Sequence, residues 1–453
     1  MTACGRVPKG MRRFLPLLLW VGCAGPAPRP AAGPNIVFIL ADDLGHGDLG
    51  CQGAPDLKTP SIDRLAAEGV RFTQFYAGAP ECTPTRTALL TGRYPQRVGG
   101  PECAIGTGNV GRYDDAIRLR SSDDLGLPPS ESVLPRMLKQ AGYATAVVGK
   151  WHLGYEPKFF PARHGFDAWF GPLGGGVDYF HHTEPDGSPM LYRDGTKVRR
   201  DGYLTDLLAE EASAFVRRTA GPFFLYVPFT APHLPGQGPD DRRPAPLAAD
   251  AWGRCDRGTY VAMVERLDRA VGEILKALDE TGRAKDTLVV FTSDNGGAKV
   301  ARNAPFTGHK GGTYEGGLRV PCLARWPGLI PAGTTAPHVA TTMDLTASLL
   351  RAAGATPDRP LDGVDILAAI GGPPQPRTLF WRQRRGDIVW RAVRDGDLKY
   401  LSREEAGRLV EERLSDVSAD PAEATDLLGS RPGDGDRLRA LLARWQSSVV
   451  AAR

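Results

Sequence analysis

The chain has 453 residues, with 56 basic and 52 acidic side chains and a formal net charge of +4. Five of the basic residues, Arg6, Lys9, Arg12, Arg13 and Arg29, fall in residues 1–33, which contain no acid; the remainder carries 51 basic against 52 acidic side chains. A near-neutral body of this length buries a large core and argues against a nucleic-acid partner, and no apolar run is long enough for a transmembrane span.

Residues 1–33 have the charge order of an export signal. Met11–Arg13 opens a basic region, Phe14–Val21 is a short apolar run, and small residues follow at Gly22–Gly25. The expected location is periplasmic or extracellular, with Cys23 a candidate lipidation site. Beyond the signal stand Cys51, Cys82, Cys103, Cys255 and Cys322. None belongs to a CxxC, and in an exported protein both disulfides and free buried thiols fit them.

Asn35–Leu40 is a continuous apolar run, read as a strand buried on both faces, and it ends in Asp42-Asp43. Thr59–Gly69 reads as a helix capped by Thr59 and stopped by glycine. Val70–Tyr76 reads as a strand leading to Cys82. Residues 99–130, rich in Gly, Asp, Ser and Pro, read as one long loop that shapes substrate access. Ser132–Ala141 is an expected helix and Tyr143–Val148 a strand ending in Gly149-Lys150-Trp151-His152. Residues 154–203 read as aromatic and glycine-rich turns, Leu204–Arg217 as a helix, and Pro222–Phe229 as a strand running into Pro232-His233.

Val261, Val264, Leu267, Val271, Ile274, Leu275 and Leu278 mark one face of an amphipathic helix that stops at Gly282. Leu288–Thr292 is a fourth strand, ending in Asp294-Asn295. Phe306–Gly317 is polar and glycine-rich, and Val339–Ala353 reads as a helix. After about residue 370 come short strands at Thr378–Trp381, Ile388–Val393 and Lys399–Leu401, turns over Leu414–Leu428, and a helix at Asp436–Val450. This order predicts an α/β fold: a large mixed, mostly parallel central sheet flanked by helices, plus a small C-terminal antiparallel sheet with a packed helix. The expected boundaries are a signal and tail at 1–33, a main domain at 34–370 and a small α+β unit at 371–453.

Cys82-Thr83-Pro84-Thr85-Arg86 reads as a cysteine at a helix mouth, with Thr83 capping and Pro84 in the first turn. Helix N-termini favour a nucleophile or an anion, and Arg86 adds a fixed charge with a fork of donors. Alone, the stretch equally describes a buried cysteine on an ordinary helix. The strand ends add to it. Adjacent parallel strands collect ligands at their carboxyl ends, which would bring Asp42, Asp43, Lys150, His152, His233, Asp294 and Asn295 together. Carboxylate and amide oxygens, without a thiolate and histidine set for zinc, suit a hard cation: Ca²⁺ first, Mg²⁺ second. Arg86, Lys150, His152, His233 and Lys310 around it form a cationic ring for an oxyanion. Each of these residues taken singly is more often structural or solvated; their joint placement carries the reading.

Cys82-Thr83-Pro84-Thr85-Arg86 with Leu89-Leu90-Thr91-Gly92-Arg93 resembles the signature of the sulfatase family. Ala41–Gly45, Gly149–Gly154, Ala231–Pro235, Thr292–Gly296 and Lys310–Gly317 resemble its other motifs, in the family's order. The resemblance covers nearly the whole chain after the signal and is to the arylsulfatase A-like branch of the alkaline phosphatase superfamily. It implies an alkaline phosphatase-like catalytic domain at 34–370. It implies that a formylglycine-generating enzyme converts Cys82 to Cα-formylglycine, whose hydrate attacks the sulfur of a sulfate monoester. It implies a cation held by Asp42, Asp43, Asp294, Asn295 and the modified Cys82, with Arg86 holding the nucleophile. Lys150, His233 and Lys310 would bind the sulfuryl oxygens, Lys310 or His233 would protonate the leaving alcohol, and His152 would take the proton that releases sulfate. His182 is an expected substrate contact, and by analogy the substrate is a sulfated carbohydrate. Asp178, His181, Trp151 and His309 read equally as sugar contacts or as packing. The stretch near 100–124 departs from the family pattern and bears on substrate choice. The competing readings are a phosphatase or phosphonate monoester hydrolase of the same superfamily, and an inactive sulfated-glycan-binding protein.

Overall fold

The computed structural model describes residues 1–3, 33–99, 101–106 and 114–449; residues 4–32 of the expected signal and tail, with Cys23, and residues 100 and 107–113 of the long loop, lie outside the described residues. Ten strands form one sheet: β1 (Asn35–Ala41), β2 (Val70–Tyr76), β3 (Ala144–Val148), β4 (Ala168–Pro172), β5 (Leu191–Arg193), β6 (Thr196–Lys197), β7 (Phe223–Pro228), β8 (Thr287–Ser293), β9 (Cys322–Arg325) and β10 (Thr334–Thr341). Their order is β10-β2-β9-β8-β1-β7-β3-β4-β5-β6. The run β8-β1-β7-β3-β4 is parallel throughout. Every residue of β1, β7 and β8 is buried, as expected of apolar runs covered on both faces.

The helices are α1 (Pro60–Ala67), α2 (Cys82–Thr91), α3 (Asp114–Ser121), α4 (Leu134–Gln140), α5 (Leu204–Arg218), α6 (Arg257–Glu280), α7 (Glu315–Leu318), α8 (Thr342–Ala352) and α9 (Pro432–Ser448). Asp256 caps α6 by accepting from the Thr259 backbone N–H at 2.8 Å. No helix among the described residues is long and apolar enough to cross a membrane.

β11 (Thr378–Arg385), β12 (Ile388–Asp395), β13 (Leu398–Glu405) and β14 (Arg408–Asp416) form a separate antiparallel sheet in chain order. Its side chains alternate between two cores with the period of a pleated strand. Val393, Leu398, Tyr400 and Leu414 pack on Leu438, Leu442 and Trp445 of α9. Leu379, Trp381, Ala392 and Leu401 pack instead on Tyr76 of β2 and Leu318 of α7. The small sheet thus lies between its own helix and the glycine-rich segment that ends at Leu318.

Several local expectations change. The stretch 99–130 is not one loop, since α3 occupies Asp114–Ser121. The helix expected over Val339–Ala353 starts only at Thr342; the residues before it form β10, which pairs with β2. Asp344 supports that start, because its carboxylate accepts from the Thr341 N–H at 2.7 Å. Thr59 does not cap α1: its hydroxyl accepts from Gly50 and donates to Asp63. The strands β4, β5, β6 and β9 were hidden in stretches without a long apolar run.

Candidate active site

β1 lies between β8 and β7, with Ala41 opposite Ser293 and Leu40 opposite Pro228. β3 follows β7, with Val147 opposite Tyr226. The residues after these four strands therefore emerge at one carboxyl edge. Backbone bonds extend the register into the loops: Asp42 N–H donates to Ala231 O at 3.2 Å, Asp294 N–H to Ala41 O at 3.1 Å, and Lys150 N–H to Pro228 O at 2.7 Å. Gly149 makes the last contact possible, because it has φ +145° and any side chain there would overlap the Pro228 carbonyl.

Asp43 also has positive φ, +65°, which aspartate tolerates better than most residues. Three contacts hold that turn. Asp43 N–H donates to Asp294 Oδ1 at 3.3 Å, Leu44 N–H to Ser293 Oγ at 3.1 Å, and Gly45 N–H to Tyr260 Oη at 3.2 Å. Tyr260 donates onward to Asp48 at 2.9 Å.

α2 begins at Cys82 itself, and Glu81, in extended conformation, precedes it without a side-chain cap. Thr83, the expected cap, lies inside the first turn. Its hydroxyl donates to His152 O at 3.0 Å and accepts from Ile105 N–H at 3.2 Å. The helix is entirely buried. Cys82 Sγ lies 3.3 Å from Asp42 Oδ1 and 3.4 Å from Lys310 Nζ. Lys310 Nζ donates to Asp43 at 2.9 Å, and Lys150 Nζ is bonded to Asp42. Arg86 donates to Asp294 Oδ2 at 3.2 Å and 3.0 Å and to Lys150 O at 2.8 Å, and it stands 3.5 Å from Asp42.

The electrostatics are those of crowded carboxylates set among fixed cations. Burial works against the Asp42 charge, but Lys150, then His233, Arg86 and Lys310, hold its carboxyl well below the usual range. For Asp294, burial and the neighbouring Asp42 win over Arg86, and its carboxyl is held above the usual range. Burial, then Asp294 and Asp42, push the Cys82 thiol well up. The donor set forms a candidate metal site. Asp42, Asp43, Cys82 and His233 each present a ligand atom, all within 4.8 Å of one another. Asn295 donates to Asp43 at 2.7 Å, while its buried Oδ1 has no hydrogen-bond partner among the described residues. An acceptor left bare in a buried site costs free energy until a donor or a cation meets it.

Both histidines are oriented by carbonyls. His233 Nδ1 lies 2.6 Å from Leu234 O and so donates, which leaves Nε2 toward Asp43 at 3.7 Å. Burial, then Lys310, lower its pKa to about 4. His152 Nε2 lies 2.6 Å from Ile105 O and donates there, and its buried Nδ1 has no partner among the described residues. Burial, then Lys150 and Arg86, hold His152 well below the ordinary histidine value.

Residues 34–355 match the family model described as Sulfatase. The chain belongs to the sulfatase family. It is a sulfuric ester hydrolase. The N-acetylgalactosamine-6-sulfatase of Rattus norvegicus is 39% identical to it over 394 residues, covering 82% of this chain and 71% of that protein. Arylsulfatase A of Homo sapiens is 34% identical over 460 residues, covering 91% of this chain and 81% of that protein. The crystal structure of Ps i-CgsB in complex with k-i-k-neocarrahexaose aligns with a TM-score of 0.78 at 32% identity, covering 91% of this chain and 92% of that one.

This sulfatase brings Asp42, Asp43, Cys82, Arg86, Lys150, His233, Asp294, Asn295 and Lys310 into one connected cluster, while the His152 ring bonds Ile105 O and feels the cluster through the charges of Lys150 and Arg86. His182 is buried with φ +54° on the 178–190 loop, and neither of its backbone bonds, to Asp178 O and from Met190 N–H, reaches that cluster. Asp178 is a loop anchor that accepts from the N–H groups of Phe180, His181 and Leu247. Trp151 is packing: it is buried, donates to Phe159 O at 2.8 Å and sits edge-on to Phe166. His309 is exposed beside Lys310. Cys51, Cys103, Cys255 and Cys322 are free thiols, as is Cys82. Sequence reasoning missed Tyr260, Asp48 and Ser293, which shape the Asp43 turn, and Ile105, whose carbonyl orients His152. Tyr260 shares the apolar face of α6 with Met263, Val264 and Leu267, so only its hydroxyl hinted at a second role.

Proposed function

We propose that this sulfatase removes sulfate from a sulfated carbohydrate outside the cytoplasm. It does so by transfer through Cys82 in its formylglycine form, made by a formylglycine-generating enzyme, with a bound Ca²⁺ (Mg²⁺ as the alternative ion). The observation that carries this reading is the Cys82 position, at a helix mouth between the Asp42 carboxylate and the Lys310 ammonium at 3.3 Å and 3.4 Å. The carbohydrate is supported by relatives named N-acetylgalactosamine-6-sulfatase and by the neighbour crystallised with a neocarrahexaose. Residues 34–370 would form the catalytic domain and 371–453 a small subdomain packed against it.

Asp42, Asp43, Asn295 and Asp294 would hold the cation with the modified Cys82, and His233 stands close enough to join them. When present, the aldehyde hydrate would supply the nucleophilic hydroxyl and a second hydroxyl for sulfate release, and the cation would supply positive charge beside the sulfuryl oxygens. Arg86, locked by Asp294 and the Lys150 carbonyl, orients the attacking hydroxyl, and Asp294 takes its proton. Lys150 and Lys310 would neutralise the sulfuryl oxygens as charge moves onto them, with neutral His233 beside the cation. Lys310 would return a proton to the departing alcohol, since neutral His233 spends its one N–H on Leu234 O. His152, whose Nδ1 has no partner among the described residues, would take the proton of the second hydroxyl to release sulfate. His182, on the 178–190 loop, would meet the sugar.

Mass spectrometry of the Cys82 peptide from protein made with the converting enzyme tests the nucleophile; the expected result is the lower mass of formylglycine. Rates on an aryl sulfate and an aryl phosphate test the ester. Faster hydrolysis of the phosphate would overturn the assignment in favour of a phosphatase or phosphonate hydrolase. A panel of sulfated sugars then identifies the substrate.

A further inference from the structure

We propose that Lys399, on the small C-terminal sheet, is a positioning residue for Lys310, acting through Glu315 and Glu423. This rests on the reading above, in which Lys310 touches the sulfuryl group. Lys399 Nζ lies 2.9 Å from Glu315 Oε1 and 3.1 Å from Glu423 Oε1, and all three side chains are 0% exposed. Glu423 Oε2 accepts the Glu315 backbone N–H at 2.6 Å, and Glu315 Oε2 accepts from Tyr76 at 2.7 Å. One ammonium on β13 thus gathers a carboxylate from the turn after β14 and another from the start of α7. Buried ion clusters add little net stability, and their best-attested use is to specify one arrangement.

The arrangement specified here is that of the Lys310 segment. Beyond Glu315 the backbone is clamped on both sides. Gly316 N–H donates to Thr307 O at 2.7 Å, and Gly317 O accepts Gly296 N–H at 3.0 Å. A side chain at Gly296 would overlap the Gly316 carbonyl, so the turn after Asp294-Asn295 rests directly on these peptides. Lys310 N–H then donates to Gly297 O at 3.1 Å. The path from Lys399 to Lys310 is therefore continuous through Glu315, the Gly316-Gly317 peptides and the Gly296-Gly297 turn. None of Lys399, Glu315 and Glu423 needs to touch substrate.

The test uses Lys399→Met/Glu423→Gln, which removes one charge of each sign. Turnover of an aryl sulfate is measured per formylglycine-bearing molecule, alongside thermal unfolding. The expected result is a folded enzyme with kcat reduced about 10-fold and KM within about twofold, the pattern of a displaced catalytic group. Glu423→Gln alone keeps an oxygen for the Glu315 N–H and should lose less. In a Lys310→Ala background, itself about 100-fold slower, the double substitution should cost nothing further, whereas a general loss of structure would add in full. Unchanged kcat in the folded double variant, or full additivity with Lys310→Ala, overturns the inference. If the double variant does not fold, Glu315→Gln replaces it with the same expected non-additivity. An undiminished Lys310→Ala enzyme would instead refute the role given to Lys310, and so separates the two failures.

Discussion

Two buried charge clusters in this sulfatase are built to different ends. Around Cys82, the carboxylates of Asp42, Asp43 and Asp294 meet Arg86, Lys150 and Lys310. That cluster opens to solvent along one side, where the Lys310 and His233 side chains are 21% and 19% exposed. Its Asn295 oxygen has no partner among the described residues. Around Lys399, both carboxylates and the ammonium are sealed from water. In the closed cluster each carboxylate is ion-paired to Lys399 inside the fold, so the cluster can only hold. The open one balances formally before any ion arrives, so an added divalent cation leaves it net positive. A sulfate monoester carries one negative charge, and the excess suits it and the charge that develops as its ester bond breaks.

The largest expected effect separates chemistry from folding. Cys82→Ala should lower turnover on the order of 10³-fold or more, while circular dichroism and the thermal midpoint stay near those of the parent. An unimpaired variant would sink the nucleophile assignment. Lys399→Met should do the reverse in kind. It leaves Glu423 without its cation and Glu315 bonded to Arg319 alone among the cations, and should cost about 3–5 kcal/mol in urea unfolding; a cost below about 1 kcal/mol would show that Arg319 or entering water makes up the loss.

Chelation addresses only the open cluster. Stripping divalent ions should lower the thermal midpoint by a few degrees, since a ligand at about 100 times its Kd contributes about 2.7 kcal/mol. Added Ca²⁺ should restore both midpoint and turnover. Full activity in protein verified as metal-free would contradict the cation site.

The smallest effect concerns acid stability of the closed cluster. Burial opposes the Glu315 charge, but Lys399, Arg319 and Arg394 hold its carboxyl below its ordinary value of 4.5. A depressed folded-state value means stability that is whole above about pH 4.5 and is lost as pH falls through the folded value. By about pH 3.5 the loss should be on the order of 1 kcal/mol. Glu315→Gln should start less stable at neutral pH and show a flatter acid limb; equal slopes would remove Glu315 from the linkage.

Much of the open cluster was legible in the sequence because of where its residues fall. Asp42-Asp43, Lys150, His233 and Asp294-Asn295 each follow an apolar run, and polar groups at the end of a buried strand need a reason to be there. The parallel neighbours β8, β1, β7 and β3 then bring them together. The closed cluster offered almost no signal. Lys399 sits between Leu398 and Tyr400 in a strand, Glu315 among glycines, and Glu423 in a turn; their partnership exists only in the folded state. The same limit hid β9, whose four residues lie antiparallel between β2 and β8, and it hid the true role of Thr83: the helix starts two residues earlier than a Thr83 cap requires, and the hydroxyl bonds His152 O instead.

The place of β1 has a consequence for how the protein is made. Made first among the strands, it waits for β7 at Phe223–Pro228 and β8 at Thr287–Ser293 before either edge is paired. Until the ribosome has passed those segments, Asn35–Ala41 is an apolar ribbon with two open edges, the kind of nascent stretch that invites aggregation or a chaperone. The hairpins of β11–β14 face no such delay, since each strand there finds its partner in the next.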